Sequence, residues 1–399
     1  MLDLHRGRRN QLLRQALLGK LPCLLREREL PCRRWQKYDK AFACAWLDHE
    51  YVVVGTKCNK LLLANILTCE LREVAPPPAP LRQPRSSEAP VEGQGFGNCG
   101  IHAVALNPDA QLLATGGANP NDCQVHRVRL VGQSNGGAPA LAPVQTLVGH
   151  DDWVFGIAWI TERHLVTGSR DRTVRLWCTD ADSGRPNTQP LVTQHEKRDK
   201  VRDVQYNQTL GRIASLVTSG SVHLWDPHLR LARTVKLTVE REVVCMAMSD
   251  GLVAVGSQSH VSLVDPRCQA PVQDVASLDT DHGVRSLCFL DHLLSCGTGR
   301  GRVSFYDLRA SAWMDLDPEP DAPQRASGCG GGARRSRGFQ QLGPGWLCQT
   351  DPVYMEHFMG QEVFNACYAH AWDPTCTKLL CVGGPLAYGL RGSYMALWE

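Results

Sequence analysis

Three groups of residues in this chain have types and spacing that could do chemistry. The first is a set of cations recurring at equivalent places in a repeating pattern: Lys57, Arg170, Lys200, Arg202 and Arg285, with Lys40 nearby. Guanidinium forks grip carboxylates through paired hydrogen bonds, and ammonium groups add point charges, so such a set points to anion binding. The second is His150, Asp171 and Trp177 in the stretch GHDDWVFGIAWITERHLVTGSRDRTVRLW. Their imidazole, carboxylate and indole N–H can link three points of one structural unit by hydrogen bonds. The third is a pair of Asp-x-Arg triplets, Asp265-Pro266-Arg267 and Asp307-Leu308-Arg309, which taken alone are turn chemistry carrying a surface arginine.

Catalysis is a poorer fit. Gly297-Thr298-Gly299-Arg300-Gly301 mimics a phosphate loop but lacks the GxGxxG spacing and a following helix. The GxxxxGK[ST], HExxH, GxSxG and kinase signatures are absent. The histidines are scattered, and no nucleophile stands with a base. The 17 cysteines show no CxxC pair, and several sit in apolar runs (Cys44, Cys245, Cys288, Cys367). Buried free thiols are expected, with no zinc, no cofactor and no catalytic residue.

What positions these residues is a repeat. Opening runs align without gaps at 40–46, 100–106, 153–159, 200–206, 242–248 and 283–289, with a looser seventh copy from Ala366. Each is followed by a run ending in small residues, such as VVVGTK or LVTGSR, and then by a third, such as VRLW or MALW. Alternating or continuously apolar runs of this length are half-buried or buried strands. The order Gly-His, two strands, Ser-Arg-Asp and a run closing on Trp is that of a WD40 blade. The fold class is therefore all-β: a seven-bladed WD40 β-propeller over 31–399, with a short N-terminal helical segment over 1–30. Since the chain closes on a third strand, the missing fourth strand of blade 7 is expected from before blade 1, around Cys32–Tyr38, which would remove exposed sheet edges.

The N-terminal segment carries leucines and alanine on one helical face (Leu12, Leu13, Ala16, Leu17), a break at Gly19 and a second short helix over Leu24 to Leu30. It either packs on the propeller's side or docks a partner. Two Pro/Gly-rich stretches, 75–98 and 316–345, read as flexible surface insertions, the second with Arg334, Arg335 and Arg337. Composition is that of a globular chain: 399 residues, 43% hydrophobic, 21% charged, net charge +3. Near-balanced charge gives no whole-chain argument for nucleic acid or an anionic membrane. No apolar run approaches the ~18 residues of a membrane helix, and no signal peptide is evident, so cytoplasm and nucleus are the expected compartments.

In a blade the loop before the first strand and the second-to-third turn share one face, the top. The first column there holds Phe42, His102, Phe155, Arg202, Val244, Arg285 and Tyr368, with Lys40, Trp153 and Lys200 two residues earlier. The second holds Lys57, Ala118, Arg170, Ser219, Gln258, Gly299 and Pro385. The cations thus converge on the channel mouth, where the few acidic residues are Glu242, Asp151, Asp152 and Asp171. Like charges gathered without evident partners favour an anionic ligand. A small concave mouth with aromatics suits a peptide with acidic groups, including a free terminal carboxylate, better than an extended nucleic acid.

Longer stretches resemble a known family. The Asp-x-Arg triplets resemble the WDxR boxes of cullin-4 ubiquitin-ligase substrate receptors. LPCLLREREL, VVVGTKCNKLLL, CGIHAVALNPDAQLLATGGANPN, DWVFGIAWI with VTGSRD, VGSQSHVSLVDPR, GVRSLCF with GTGRGRVSFYDLR and KLLCVGGPLAYGLRGSYMALW resemble the cullin-4-associated factor 12 family and its "like" paralogues. The likeness runs over roughly 20–399 and fails in the two insertions. It implies a non-enzymatic substrate receptor of a cullin-4 RING ligase. Arg267, Arg309, Leu24 and Leu25 would dock the adaptor, damage-specific DNA-binding protein 1, which joins the receptor to cullin-4 and its RING subunit. Lys57, Arg170, Lys200, Arg202 and Arg285 would capture substrate proteins with acidic C-termini, notably a terminal Glu-Glu. A WD40 scaffold without ligase association is the alternative, and a nucleic-acid binder on the basic mouth is a third.

Overall fold

The computed structural model describes residues 16–30, 33–75, 100–117, 121–129, 139–179, 188–196, 199–238, 242–316 and 338–399. Seven antiparallel sheets form seven blades, with strands hydrogen-bonded in sequence order outward from the innermost, except that the outermost strand of blade 7 comes from the N-terminal segment. Blades 1 to 7 open at strands Ala41–Trp46, Val104–Leu106, Val154–Trp159, Val201–Asn207, Cys245–Met248, Val284–Leu290 and Asn365–Trp372. These innermost strands touch one another in the order 1 to 7 and back to 1, so the ring is closed. No helix of the described residues is long and apolar enough to cross a membrane.

A blade has two apolar faces and cannot bury them alone, so the core is divided among the blade interfaces. Blades 3 and 4 share Val166, Val174, Val201, Val204, Ile213 and Trp225, and blades 7 and 1 share Val52, Val54, Leu62, Leu380, Val382 and Leu397. Close approach has a local requirement: a Cβ on Gly156 of blade 3 would collide with the Val204 backbone nitrogen of blade 4.

Within blade 3 the polar link runs through a residue the sequence reading passed over. His150 Nδ1 lies 2.8 Å from Asp171 Oδ2 and its Nε2 2.6 Å from Thr167 Oγ1, which also accepts the Trp177 indole N–H at 2.8 Å. Blade 4 repeats the device with different residues. His223 meets Glu196 at 2.6 Å, and Trp225 donates to Ser215 at 2.9 Å. In blade 3 burial pushes the His150 imidazole down against its bond to Asp171. Asp171 is held below the usual carboxylate range, because the His150 and Thr173 hydrogen bonds outweigh its own burial.

Ring closure differs from the expectation. The closing strand is Glu27–Glu29, paired antiparallel with Ala396–Trp398 as Glu27↔Trp398, Arg28↔Leu397 and Glu29↔Ala396. Arg33–Lys37, where the strand was expected, is a short 3-10 turn. The helix expected over Leu24 to Leu30 is instead Leu21–Leu24. Leu25 starts the extended chain that hands over to the closing strand. It is 1% exposed, packed with Val303, Phe305 and Tyr394. The rest of the expected first helix lies mostly outside the described residues; only 16–18 are helical there, with Leu18 buried against Leu290 and Leu293 of blade 6.

The second insertion is also shorter than expected. Gln340–Gln341 pairs with Arg302 and Val303, while Ala312–Trp313 pairs with Tyr306 and Asp307. The outer strand of blade 6 is therefore split in two. Trp346–Leu347 then pairs with Gly392 and Ser393 of blade 7. Arg334, Arg335 and Arg337, like nearly all of 75–98, lie outside the described residues. Every described cysteine is a free thiol.

Candidate functional site

The first top-face column is produced by a backbone device. In blades 1, 3, 4, 6 and 7 the innermost strand shifts register against its neighbour between Ala41 and Ala43, Val154 and Gly156, Val201 and Asp203, Val284 and Ser286, and Cys367 and Ala369. The residue skipped in each case is Phe42, Phe155, Arg202, Arg285 or Tyr368. A β-bulge leaves its extra residue out of the ladder and re-aims the side chain. Each of these five side chains consequently lines the channel mouth. His102 and Val244, just ahead of the inner strands of blades 2 and 5, complete the ring.

The mouth is divided by chemistry. One arc is aromatic. Phe42 stacks on His102 at 4.6 Å and meets Tyr368 edge-on at 5.2 Å, and His102 stacks on Trp153 at 5.6 Å and meets Phe155 edge-on at 5.0 Å. The other arc is cationic, and the two are joined where Arg202 lies over Phe155 at 4.4 Å and Arg170 over Trp153 at 5.0 Å. The mouth opens on a cavity of about 430 Å³ whose wall includes Arg202, Asp203, Arg285, Ser286 and His370. A second hollow of about 410 Å³ adjoins it, lined by Trp153, Arg170, Lys200, Arg202, Glu242 and neighbours. Arg202 is common to both.

Among the expected cations, the structure brings Arg170, Lys200, Arg202 and Arg285 to these two connected spaces. Lys57 lines neither, and its Nζ lies 2.9 Å from Asp39 Oδ2. Arg170 also has a carboxylate near it, Asp152 at 3.6 Å. The expectation that the whole set lacks internal partners is therefore corrected for these two. Lys200, Arg202 and Arg285 form no ion pair among the described residues, although Arg285 Nε donates to the His282 carbonyl at 3.2 Å. Lys40 is buried and donates from Nζ to the Ala387 carbonyl at 3.1 Å. Burial, reinforced by Lys57, brings its ammonium down to about 8.

Electrostatics in the channel wall follow from placing like charges in a partly dry space. The Arg202 guanidinium is pushed down by burial, then by Arg285 and, more weakly, Arg170. Its neighbour Asp203 is the residue that sequence reasoning missed. Burial raises its carboxyl to about 7, even though Met246 N–H donates to it at 2.9 Å and Val204 N–H at 2.8 Å. The available signal was a carboxylate one residue past the bulge, on a strand whose side chains line the channel. Beneath Arg285, His370 bridges Ser286 at 2.7 Å and Ser295 at 2.8 Å, tying blade 7 to blade 6. Burial lifts the Tyr368 phenol to about 12, so it stays a neutral hydrogen-bonding group.

The expected docking residues are on the opposite side. Arg267 is exposed and clamped on Asp265 at 2.7 Å. Arg309 Nη2 lies 2.6 Å from His292 Nε2 and 3.5 Å from Asp307. Leu24 is 66% exposed, whereas the burial of Leu25 removes it as a contact surface. Leu18 packs on Leu290 and Leu293, beside His292, so the N-terminal segment and Arg309 share one corner of blade 6. Among the described residues no group of His, Cys, Asp and Glu could hold a metal ion.

Comparison with known proteins places this geometry in context. The chain matches the family model described as "DDB1- and CUL4-associated factor 12 beta propeller" over residues 21–189 and 184–399. It is 35% identical over 103 residues to a "Histone acetyltransferase type B subunit 2" of Aspergillus oryzae, covering 25% of this chain and 23% of that protein. It is 30% identical over 102 residues, 26% of this chain and 22% of the other, to a "Ribosome biogenesis protein WDR12 homolog" of Ixodes scapularis. The homolog of that name in Anopheles gambiae is 26% identical over 151 residues, 35% of this chain and 33% of the other. The chain thus spans between about a fifth and a third of the length of these curated relatives.

Proposed function

We infer the function of this chain from one premise: it belongs to the DDB1- and CUL4-associated factor 12 beta-propeller family, whose model matches it over 21–189 and 184–399. On that premise the chain is a substrate-recognition subunit of a cullin-4 RING ubiquitin ligase, acting in cytoplasm and nucleus. It contributes binding and presentation, while the transfer of ubiquitin belongs to other subunits. The ligand read by the top face is an acidic protein C-terminus, such as a terminal Glu-Glu.

The observation that carries the ligand class is the bulge geometry. Two arginines, Arg202 and Arg285, are thrown out of their ladders into one concave mouth, and neither forms an ion pair among the described residues, the one carboxyl acting on Arg202 being that of Asp203, raised to about 7. Burying cations beside one another is unfavourable unless an anion joins them. A terminal carboxylate with acidic side chains beside it supplies several negative charges within a narrow width, which fits the mouth. The aromatic arc supplies apolar contact for the peptide's backbone and methylenes. The corner that the N-terminal segment shares with Arg309, through Leu18 on Leu290 and Leu293, supports a separate adaptor surface, leaving the mouth open to substrate.

Affinity purification from cells with mass spectrometry of the co-purifying proteins tests the assembly. The reading expects the adaptor and cullin-4 in amounts comparable to the chain itself. Their absence would leave a WD40 scaffold outside any ligase.

A further inference from the structure

Beside the mouth, blade 7 carries an apolar platform on the same face that the mouth does not use. The loop after its second strand holds Tyr388, 99% exposed, and the connection entering the blade holds Met359 and Met355, 68% and 53% exposed. These two segments lie together. A Cβ on Gly389 would stand 3.1 Å from Val353, and Leu386 N–H donates to the Phe364 carbonyl at 3.3 Å. Met355 lies within a single helical turn, Tyr354–Phe358, and Met359 caps it; Met355 N–H donates to the Asp351 carbonyl at 3.0 Å. Two exposed carboxylates are close to the methionines in sequence: Glu356, with the His357 imidazole 3.8 Å away, and Glu362.

The loop carrying Tyr388 is tied to blade 1. Lys40, two residues before the bulged Phe42 of the mouth, donates to the carbonyl of Ala387, the neighbour of Tyr388. Methionines and a tyrosine form an adaptable apolar surface that tolerates varied side chains. Its carboxylates are opposite in sign to the cationic mouth, so by charge complementarity the two surfaces want opposite charges on one ligand.

We propose that Met355, Met359 and Tyr388, with Glu356 and Glu362, form a second recognition surface for the same substrate chain. It takes an apolar segment carrying a lysine or arginine, lying upstream of the acidic C-terminus held in the mouth. This proposal rests on the reading of the mouth as an acidic C-terminus site. Substrate selection is thus bipartite: the mouth reads the terminal charge, and the platform reads polarity further back, distinguishing proteins that share the same last two residues.

Fluorescence polarisation with two peptides tests this. Both end in a free Glu-Glu; one has five residues, and the other adds an upstream Leu-Lys-Leu segment. Wild-type protein should bind the longer peptide about tenfold more tightly. The triple variant Met355→Ser, Met359→Ser, Tyr388→Ser should lose that advantage and bind the short peptide as wild type does. All three side chains are solvent-exposed, and an unchanged melting temperature checks the fold. Replacing the upstream lysine by glutamate should also remove the advantage. Equal binding of both peptides by wild type, or an advantage surviving in the triple variant, overturns the platform and leaves the mouth intact. Failure of both peptides to bind wild type would instead sink the mouth reading, and the platform with it.

Discussion

The guanidinium carbon of Arg202 lies 4.4 Å from the centroid of the Phe155 ring, and both residues are the unpaired extras of β-bulges in adjacent blades. Phe155 belongs to the aromatic arc and Arg202 to the cationic one, so this contact is the seam of the mouth. It holds the guanidinium over the face of the ring. A cation held this way is pre-organised for a carboxylate, and less rotamer entropy is lost on binding.

Arg202→Glu combined with Arg285→Glu should abolish binding of a peptide ending in Glu-Glu, measured by fluorescence polarisation, while adaptor capture persists. Phe155→Leu should weaken the same peptide only about two- to fivefold, the range of a partly exposed cation–π contact of ~0.5–1 kcal/mol. Amidating the peptide's C-terminus should weaken it more than Phe155→Leu does. Unchanged affinity in the double variant would reject the mouth as the site.

Asp203 makes stability depend on pH in a defined window. Its folded carboxyl is raised to about 7 from an ordinary 3.8. The folded state therefore holds a proton that the unfolded chain releases. The stability this gives is complete below about pH 4 and is lost as pH rises towards 7. Asp203→Asn keeps a neutral side chain at every pH, so the gap between variant and wild type should widen from pH 5 to 7 and then level off. Because one edge of Asp203 faces the channel, we expect about 1–2 kcal/mol, less than the roughly 4 kcal/mol of a fully dry site. The charged neighbour acting on it, Arg202, stays protonated throughout, and Lys40, at about 8, is common to both proteins. Melting temperatures across pH 5–8 measure this, and parallel curves for the two proteins would refute it.

Leu24 and Leu25 are neighbours with opposite fates, which separates docking from stability. Leu25→Ala empties a site packed against Phe305 and Tyr394 and should cost ~2–4 kcal/mol, read as a lower melting temperature. Leu24→Asp should leave melting unchanged and reduce adaptor capture, as should Arg309→Ala. Undiminished capture by both Leu24→Asp and Arg309→Ala would remove the docking surface from this corner.

Much of the fold was legible because a blade is a local unit. Its strands, turns and polar link fall within about forty residues, so seven aligned runs sufficed to place Phe42, Arg202, Arg285 and Tyr368 in one column. The bulges that make that column were not legible, because a register shift depends on the partner strand rather than on composition. Lys57 was misjudged for a related reason: its partner Asp39 comes from the segment before blade 1, outside the repeat pattern. Thr167 was overlooked because a threonine in a strand is unremarkable until the imidazole and the indole both meet its hydroxyl. The closing strand was placed too late in the chain. Glu-Arg-Glu does not read as a strand, and its place is dictated by Ala396–Trp398, whose open edge it completes.

That closing pair joins Arg28 to Glu399 at 2.7 Å across 371 residues of sequence. During synthesis the closing strand is made well ahead of its partner. At about 5–20 residues per second, roughly 20–70 s separate the two on the ribosome. Late in that interval six blades can stack while the seventh lacks its body and the closing strand Glu27–Glu29 waits unpaired. Any factor that shields the edge strands of blades 1 and 6 from neighbouring chains in this window therefore governs the yield of the protein, independently of how stable the finished ring is.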